Sequence, residues 1–470
     1  MRWISISFIM MLGIIVPLAV YLAQRYGYKR IFFYGSVVFL LGSLLNSFAF
    51  DFTSVLLSRA IAGAGSGALF PLSIAILDKV FPKKQITLAL ILYVGLGFGC
   101  GSSLGYLTGG YFAQYFSWKL PFLLCFIIGC ISLLITYFVH QETEFDRKSK
   151  FDIGGYLTFI TFISSILLIL NCAKAQWNTT GWNSPFMWSC YILSFVSLIV
   201  FIPLELKKRE PLISFALFKT KSFLIGCIAI FFIGAPLYST QLLTGTFLDG
   251  DLGYEKHTIG LLSMTLGITL GLTSACTVFL SKKISIRVLT LVGMGIITIS
   301  CFLNPLISIY SSHTQFLWIW NLRMVGIGLA LGPATSLSLS ELSPAVAGAA
   351  AVFITLFRQV GGTIGSLWTE VVMDERNIFH REIFGSQMNS TSPAFQSTLL
   401  HLKDHLIRQA GALPIEAEAQ ARALIQENIF AQSHAASLGD AFFLLGIATL
   451  LSVITLLIEM GWSSIQQSRV

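Results

Sequence analysis

The sequence has little charge. Only 11% of its 470 residues are Asp, Glu, Lys or Arg, whereas 55% are hydrophobic. A soluble chain carries about 25% charged residues, so this one has too few to cover a soluble core. Its apolar surface is suited instead to lipid. The net charge of +8 is not gathered on one face or stripe but lies in short segments between apolar runs, which argues against a nucleic-acid partner.

Ligand clusters are also missing. The eight cysteines lie singly in or beside apolar runs without a CxxC pair, and the seven histidines show no metal-ligand spacing. The sequence therefore predicts no disulfide framework, no metal site and no cofactor. A membrane-embedded enzyme would need His, Asp or Glu clustered at one membrane depth, and the sequence contains no such cluster. The chain is therefore predicted not to be an enzyme.

Long apolar runs fill most of the chain. A membrane-spanning helix needs about 20 mostly apolar residues, and strands are excluded because their unpaired backbone groups cannot face lipid. The fold class is therefore an all-α polytopic membrane protein of about thirteen spans. The predicted spans are 4–23, 31–50, 54–77, 86–112, 120–139, 153–172, 185–204, 222–248, 257–280, 287–310, 316–341, 347–373 and 439–461.

The basic residues lie mainly in alternate loops, which are predicted to be cytoplasmic. They are Arg25, Lys29, Arg30, Lys79, Lys83, Lys84, Arg147, Lys148, Lys150, Lys207, Lys208, Arg209, Lys219, Lys221, Lys282, Lys283, Arg287 and Arg469. The polar stretch 374–438 then lies on the far side as a long loop, with a short amphipathic helix at 416–432.

This orientation places the N-terminus outside. A signal peptide is a competing interpretation, but Gln24 and Arg25 stand where a small-residue cleavage site would be needed. The predicted position of the N-terminus outside is better explained by a missing helix before the first predicted span.

The two halves of the sequence repeat one another. Gly101 and Gly105 recur as Gly361 and Gly365, and the segment around Arg59 has a looser counterpart around Arg323. The basic loop at 24–30 likewise recurs at 281–287. Each pair has the same predicted orientation, as two parallel halves of a transporter would.

Several segments together carry a family resemblance. They are 22–30, 59–63, Gly101 and Gly105 with Gly109 and Gly110, 151–155, 211–218, 358–365 and 440–442. In order and spacing they resemble the 14-helix drug:proton antiporter group of the major facilitator superfamily, of the bacterial multidrug efflux pump type. Counted against that family, the chain begins at the second helix. The resemblance implies an N-terminal bundle at 1–140, two extra linking helices at 141–221, and a C-terminal bundle at 222–470 with a periplasmic loop at 374–438.

The resemblance also implies roles for particular residues. Arg59, Glu370 and Asp249 are the candidates for proton coupling. The gating helix carries the antiporter-motif glycines Gly101, Gly105, Gly109 and Gly110. The cytoplasmic hinge loop contains Gln24, Arg25, Gly27, Lys29 and Arg30. Candidates for lining the cavity or for packing are Arg323, Arg358, Gln359, Gly361 and Gly365.

The implied function is export of small amphipathic organic compounds or drugs across the cell inner membrane, by proton antiport with alternating access. The implied partners are a small-molecule substrate, protons and the lipid bilayer, with a periplasmic adaptor and an outer-membrane channel as further expected partners. The alternative is a truncated or degenerate major facilitator protein with lost or altered transport. Tyr106, which stands where the motif usually has Pro, and the missing first helix favour that alternative.

Overall fold

The computed structural model describes residues 2–139, 152–173, 177–208, 215–343, 346–388, 392–411 and 413–467. Within these ranges the chain is helical, with no strand. The helices are α1 (Arg2–Tyr26), α2 (Tyr28–Ser47), α3 (Phe52–Val80), α4 (Lys83–Tyr115), α5 (Leu120–Val139), α6 (Ile153–Cys172), α7 (Pro185–Lys207), α8 (Lys221–Thr246), α9 (Lys256–Leu280), α10 (Ile286–Leu303), α11 (His313–Leu339), α12 (Ala347–Gln387), α13 (Pro393–Ala410) and α14 (Pro414–Gln467).

In the described part of the chain, 13 helices are long and apolar enough to cross a membrane. They are α1 to α12 and α14, in the order that the hydrophobic runs predict. The all-α polytopic fold class is therefore confirmed. The basic loops that follow α1, α3 and α9 mark one end of this assembly, called the basic end below.

The membrane helices form two bundles and a linking pair. Helices α1, α2, α3 and α5 pack on one another, helices α8 to α12 pack with α14, and α6 packs on α7. Helix α4 packs mainly on α9; by chain order, α1 to α5 are called the N-terminal bundle here, and α8 to α12 with α14 the C-terminal bundle. The main contacts between the bundles join α4 to α9, α4 to α11, α3 to α12 and α1 to α12. Because lipid gives helices no hydrophobic reason to associate, close approach at small residues provides much of the contact.

The linking helices are fastened at the basic end by Asp152. Its carboxylate caps α6 by accepting a hydrogen bond from the Gly155 N–H at 2.7 Å and forms an ion pair with Lys208, directly after α7. Burial alone would raise the pKa of Asp152, but the Lys208 ammonium and the Gly155 N–H outweigh burial and lower that pKa. In the segment 151–155, which resembles the family pattern, Asp152 therefore caps α6 and joins it to the end of α7 through an ion pair. Of the same family pattern, Phe151, Pro211 and Leu212 lie outside the described residues.

The predicted loop at 374–438 is largely helical, which corrects the sequence interpretation. Helix α12 runs 41 residues, well past its membrane span. The predicted short helix at 416–432 is the first part of α14, a continuous helix of 54 residues. Its run of Ala, Glu and Gln has a strong helix propensity, so nothing interrupts the helix before the apolar span begins.

Ion pairs hold this helical extension together. Lys403 of α13 lies 2.8 Å from Glu418 of α14. Arg376 and His380 of α12 approach the same oxygen of Asp440 on α14, at 2.6 and 2.8 Å. These contacts fix α12, α13 and α14 relative to one another at the ends of the predicted apolar spans and beyond them.

Candidate functional site

A cavity of about 380 Å³ lies between the two bundles. Small-molecule sites usually measure about 300–1,000 Å³, so its size suits a small ligand. Both bundles contribute to its wall, which is called the central cavity here. Its lining residues are Phe8, Ile9, Leu12, Arg59, Ser66, Phe70, Phe98, Tyr238, Thr355, Arg358 and Gln359. None of these lining residues is acidic.

Arg358 of α12 is the buried cation in the lining of this cavity. Its side chain reaches across from the C-terminal bundle, and its guanidinium carbon lies 3.7 Å from the ring centre of Phe70 and 4.6 Å from that of Phe98. Residue Arg358 is only 5% exposed, and its Nε has no hydrogen-bond partner among the described residues. Two aromatic rings thus contact the buried guanidinium, and its Nε–H is left without a hydrogen-bond acceptor among the described residues.

The polar neighbour of Arg358 is a Tyr–Gln pair. The Tyr238 hydroxyl of α8 donates a hydrogen bond to Gln359 Oε1 at 3.1 Å. The next residues of α12 serve packing instead. A Cβ at Gly365 would lie 2.5 Å from the Ala235 Cα, and one at Gly361 would collide with the backbone at Phe231. Arg358 and Gln359 therefore line the cavity, whereas Gly361 and Gly365 allow α12 to approach α8.

Arg59 of α3 lies at the edge of the central cavity. It also lines a second space of about 760 Å³ inside the N-terminal bundle, called the side cavity here. Helices α2, α3, α4 and α5 form most of its wall. The Arg59 guanidinium carbon lies 4.7 Å from the Phe122 ring centre. Its Nε has no hydrogen-bond partner in the described part of the chain.

Arg323 occupies the matching position in the C-terminal bundle and is hydrogen-bonded there through its two terminal nitrogens, while its Nε has no hydrogen-bond partner among the described residues. It is 0% exposed. Its guanidinium donates to Thr240 Oγ1 at 2.8 Å and to Asn304 Oδ1, and it lies 3.9 Å from the Phe442 ring centre. Arg323 is therefore a packing residue inside its bundle rather than a residue at the membrane surface.

The two arginine sites differ because of α8. The Phe122 ring of α5 lies against Arg59 and the Phe442 ring of α14 lies against Arg323. Thr240 belongs to α8, which packs on α11 and α12. The side cavity lies beside Arg59 instead. The Nδ2 atoms of Asn46 and Asn304 both lack a partner in the described ranges, so the two sites differ in the hydrogen bonds that the arginine donates.

The glycines of α4 divide between two faces. A Cβ at Gly101, Gly105 or Gly109 would meet nothing within 4 Å, and these three glycines line the side cavity. Gly110 lies in the interface between bundles, where a Cβ would be 2.5 Å from the Lys256 carbonyl oxygen. Gly99, outside the predicted set, packs on Gly271 of α9 in the same way.

The predicted hinge loop makes helix-end contacts. Gly27 has φ 107°, a conformation that favours glycine, between α1 and α2. The Lys29 ammonium donates to the carbonyl of Tyr137 near the end of α5 at 3.0 Å, as expected of a cation at a helix C-terminus. Arg25 donates to the Tyr21 hydroxyl at 2.9 Å.

The other two hinge residues differ in exposure. The Gln24 side chain packs near Gly348 of α12, where a Cβ would lie 3.4 Å from its Nε2, whereas Arg30 is exposed.

The two predicted acidic candidates lie away from the central cavity lining. Glu370 is half-buried in α12, one residue after Thr369, whose hydroxyl lies 2.9 Å from the Ser239 hydroxyl of α8. Asp249 is exposed in a π-helical turn that continues α8 at the end opposite the basic end. Of the three candidates for proton coupling, only Arg59 lines the central cavity.

Sequence reasoning did not identify the aromatic members of the site. Phe70, Phe98 and Tyr238 come from three helices, and nothing in their local sequence separates them from other aromatic residues in apolar runs. The available signal was a lone arginine in an apolar span. Because a charged side chain inside a membrane is costly unless it has partners, the sequence predicts that Arg358 has partners. It does not predict which residues they are.

Two bundles of membrane helices with a cavity between them are the fold of a polytopic membrane transporter. The Major Facilitator Superfamily model matches residues 1–366. The chain therefore belongs to the major facilitator superfamily.

Known proteins similar to this chain include two bacterial resistance proteins. Multidrug resistance protein 3 of Bacillus subtilis (strain 168) is 28% identical, over 77% of this chain and 70% of that protein. The fatty acid resistance protein FarB of Neisseria gonorrhoeae is 26% identical, over 88% of this chain and 81% of that protein. The solved proton:xylose symporter XylE has a TM-score of 0.59 at 13% identity, covering 96% of this chain and 84% of that structure. This last likeness concerns the fold alone.

Proposed function

We propose that this protein exports small amphipathic organic compounds across the cell inner membrane in exchange for protons. The observation that carries the proposal is the central cavity, whose wall combines aromatic rings from both bundles with Arg59, Arg358 and the Tyr238–Gln359 pair. Amphipathic ligands suit such a wall because it offers apolar area with few polar contacts. The resistance proteins among the relatives give the proposal additional support.

Alternating access is the mechanism that the proposal requires. The contact of α4 with α9 is lined by small residues, so the two helices can rock without separating large side chains. In the arrangement described here, Arg358 contacts Phe70 and Phe98 across the bundle interface. A rocking motion would break that contact and free the guanidinium for a ligand or for water.

Arg59, Glu370 and Asp249 remain our candidates for proton coupling. Arg59 borders both cavities, so a change in its environment could link substrate binding to the N-terminal bundle. Glu370 is the first carboxylate to test as a proton carrier, because it lies within a membrane helix, where a charged group is costly and usually functional. Asp249 is the second, at the opposite end from the basic loops.

Proteoliposomes with a trapped pH indicator test this function. Addition of anilinonaphthalene sulfonate, or of ethidium in a separate arm, should drive proton movement in vesicles that contain the native protein. We expect Arg59→Ala to lower the initial rate about 10-fold, corresponding to about 1.4 kcal/mol of lost coupling.

The control is Arg422→Ala, which removes a cation that is 52% exposed in the helical extension, and its rate should match the native rate. Equal rates in native and Arg59→Ala vesicles would remove Arg59 from the mechanism. Rates no higher than in empty vesicles, with either compound, would contradict the proposed exchange and support the alternative of a degenerate protein.

We further propose that the helical extension at 374–438 contacts a periplasmic adaptor. Its three helical segments are held together by the Lys403–Glu418 and Arg376–Asp440 ion pairs, so it presents a preformed surface. Deleting 376–430 should abolish crosslinking to the adaptor while membrane insertion is retained. Crosslinking that survives the deletion would rule out this surface.

A further inference from the structure

Two smaller spaces continue from the central cavity toward the linking helices. The first is a constriction of about 10 Å³ between α1, α6 and α12, and it shares Ile9 and Gln359 with the central cavity. It is narrow because Ile163 of α6 fills it from one side, where a Cβ at Gly13 would lie 3.3 Å from the Ile163 Cγ2. The central cavity is thus separated from the linking helices by a few side chains only.

Beyond the constriction lies an apolar pocket of about 250 Å³, called the phenylalanine pocket here. It shares Ile163, Leu356 and Val360 with the constriction. Its lining residues are Phe159, Phe162, Ile163, Leu198, Phe201, Ile202, Phe215, Phe231, Phe353, Leu356, Phe357 and Val360. No lining residue is polar. Ile202 of α7 is 39% exposed, on a helix that faces lipid, so the pocket reaches the bilayer side of the linking pair.

The two ends of this series of spaces have opposite chemistry. At the inner end Arg358 is a buried cation, with no acidic residue among the residues that line the central cavity. A guanidinium offers a planar fork of N–H donors that matches a carboxylate. At the outer end the wall is hydrocarbon, which favours an alkyl chain by burial of apolar area.

We propose that the substrate of this site is a single-chain amphipathic anion, which enters from the bilayer through the phenylalanine pocket and binds Arg358 with its anionic group. This inference rests on the proposed function of the central cavity as the transport site. The alkyl chain occupies the phenylalanine pocket, and Ile163 moves aside in the constriction to admit the headgroup. The linking helices α6 and α7 thereby form an entrance from the membrane.

Photolabelling in lipid nanodiscs tests the route directly. Dodecanoate with a diazirine at its terminal carbon should label peptides of α6, α7 and α12 around the phenylalanine pocket. Unlabelled dodecanoate should compete at least 10-fold better than dodecanol or dodecyltrimethylammonium, because a charge-assisted hydrogen bond to Arg358 contributes about a 10- to 100-fold gain in affinity. Equal competition by all three would overturn the assignment of an anion.

Variants separate the headgroup site from the entrance. Arg358→Gln should reduce labelling about 10-fold, whereas Arg408→Gln, which removes a cation that is 80% exposed, should leave labelling unchanged. Ile163→Trp should block labelling of the pocket. Leu157→Trp should not, because Leu157 lies on the same helix but is 58% exposed. Thermal melting of each variant shows whether it is folded.

The outcomes also separate this inference from the proposed function. Labelling confined to lipid-facing residues, in a protein that still moves protons when ethidium is added, would overturn the inference alone. Specific labelling that depends on Arg358, in a protein that moves no protons, would support the inference and contradict proton exchange.

Discussion

Gly99→Ala should destabilise the protein and abolish transport, because it forces α4 away from α9. A Cβ at Gly99 would lie 2.5 Å from the Gly271 Cα and 2.9 Å from the Gly267 carbonyl oxygen. Both are backbone atoms and cannot rotate away. Overpacking of this kind costs about 1–3 kcal/mol, and here the strain falls on the contact that joins the two bundles. Thermal unfolding in detergent and flux in proteoliposomes would measure the two effects.

Gly105→Ala provides the matched control on the same helix. A Cβ at Gly105 would meet nothing within 4 Å, and alanine favours a helix over glycine by about 1 kcal/mol. This variant should therefore melt at or above the native temperature. If Gly99→Ala and Gly105→Ala melted alike, the close approach of α4 and α9 would not be a determinant of stability.

Arg323→Met should be the most destabilising single change among the membrane arginines. It removes the charge-assisted hydrogen bonds to Thr240 and Asn304 and leaves both buried acceptors without that donor. Such bonds contribute about 1.5–3 kcal/mol each, so the expected loss is on the order of 3 kcal/mol. The melting temperature of the purified protein in detergent would measure it.

Arg59→Met is the corresponding change in the N-terminal bundle. The Arg59 guanidinium carbon lies 4.7 Å from the Phe122 ring centre, and within the described residues this side chain has no hydrogen bonds like those from Arg323 to Thr240 and Asn304. Losing one such aromatic contact costs about 1 kcal/mol or less, so this variant should melt close to the native protein. A larger loss for Arg59→Met than for Arg323→Met would contradict the difference between the two sites.

Parts of the site could be anticipated from single residues and parts could not. The family resemblance implies Arg358 and Gln359 as candidates, and both line the central cavity. The glycine motif was less informative, since Gly101, Gly105 and Gly109 look like Gly110 in sequence yet face a different space. The polarity of the stretch at 374–438 predicts a loop, but this prediction is wrong because its alanines and glutamates favour a helix.

The sequence by itself determined the number, order and type of the membrane helices. A backbone in lipid must satisfy its own hydrogen bonds, so a run of about 20 apolar residues has one stable form. Only the tertiary structure decided which side chains meet. Phe70, Phe98 and Tyr238 come from three helices of two bundles to surround Arg358. In an environment where every face of a helix tolerates apolar contact, close packing alone selects which faces pair, and no local pattern records that choice.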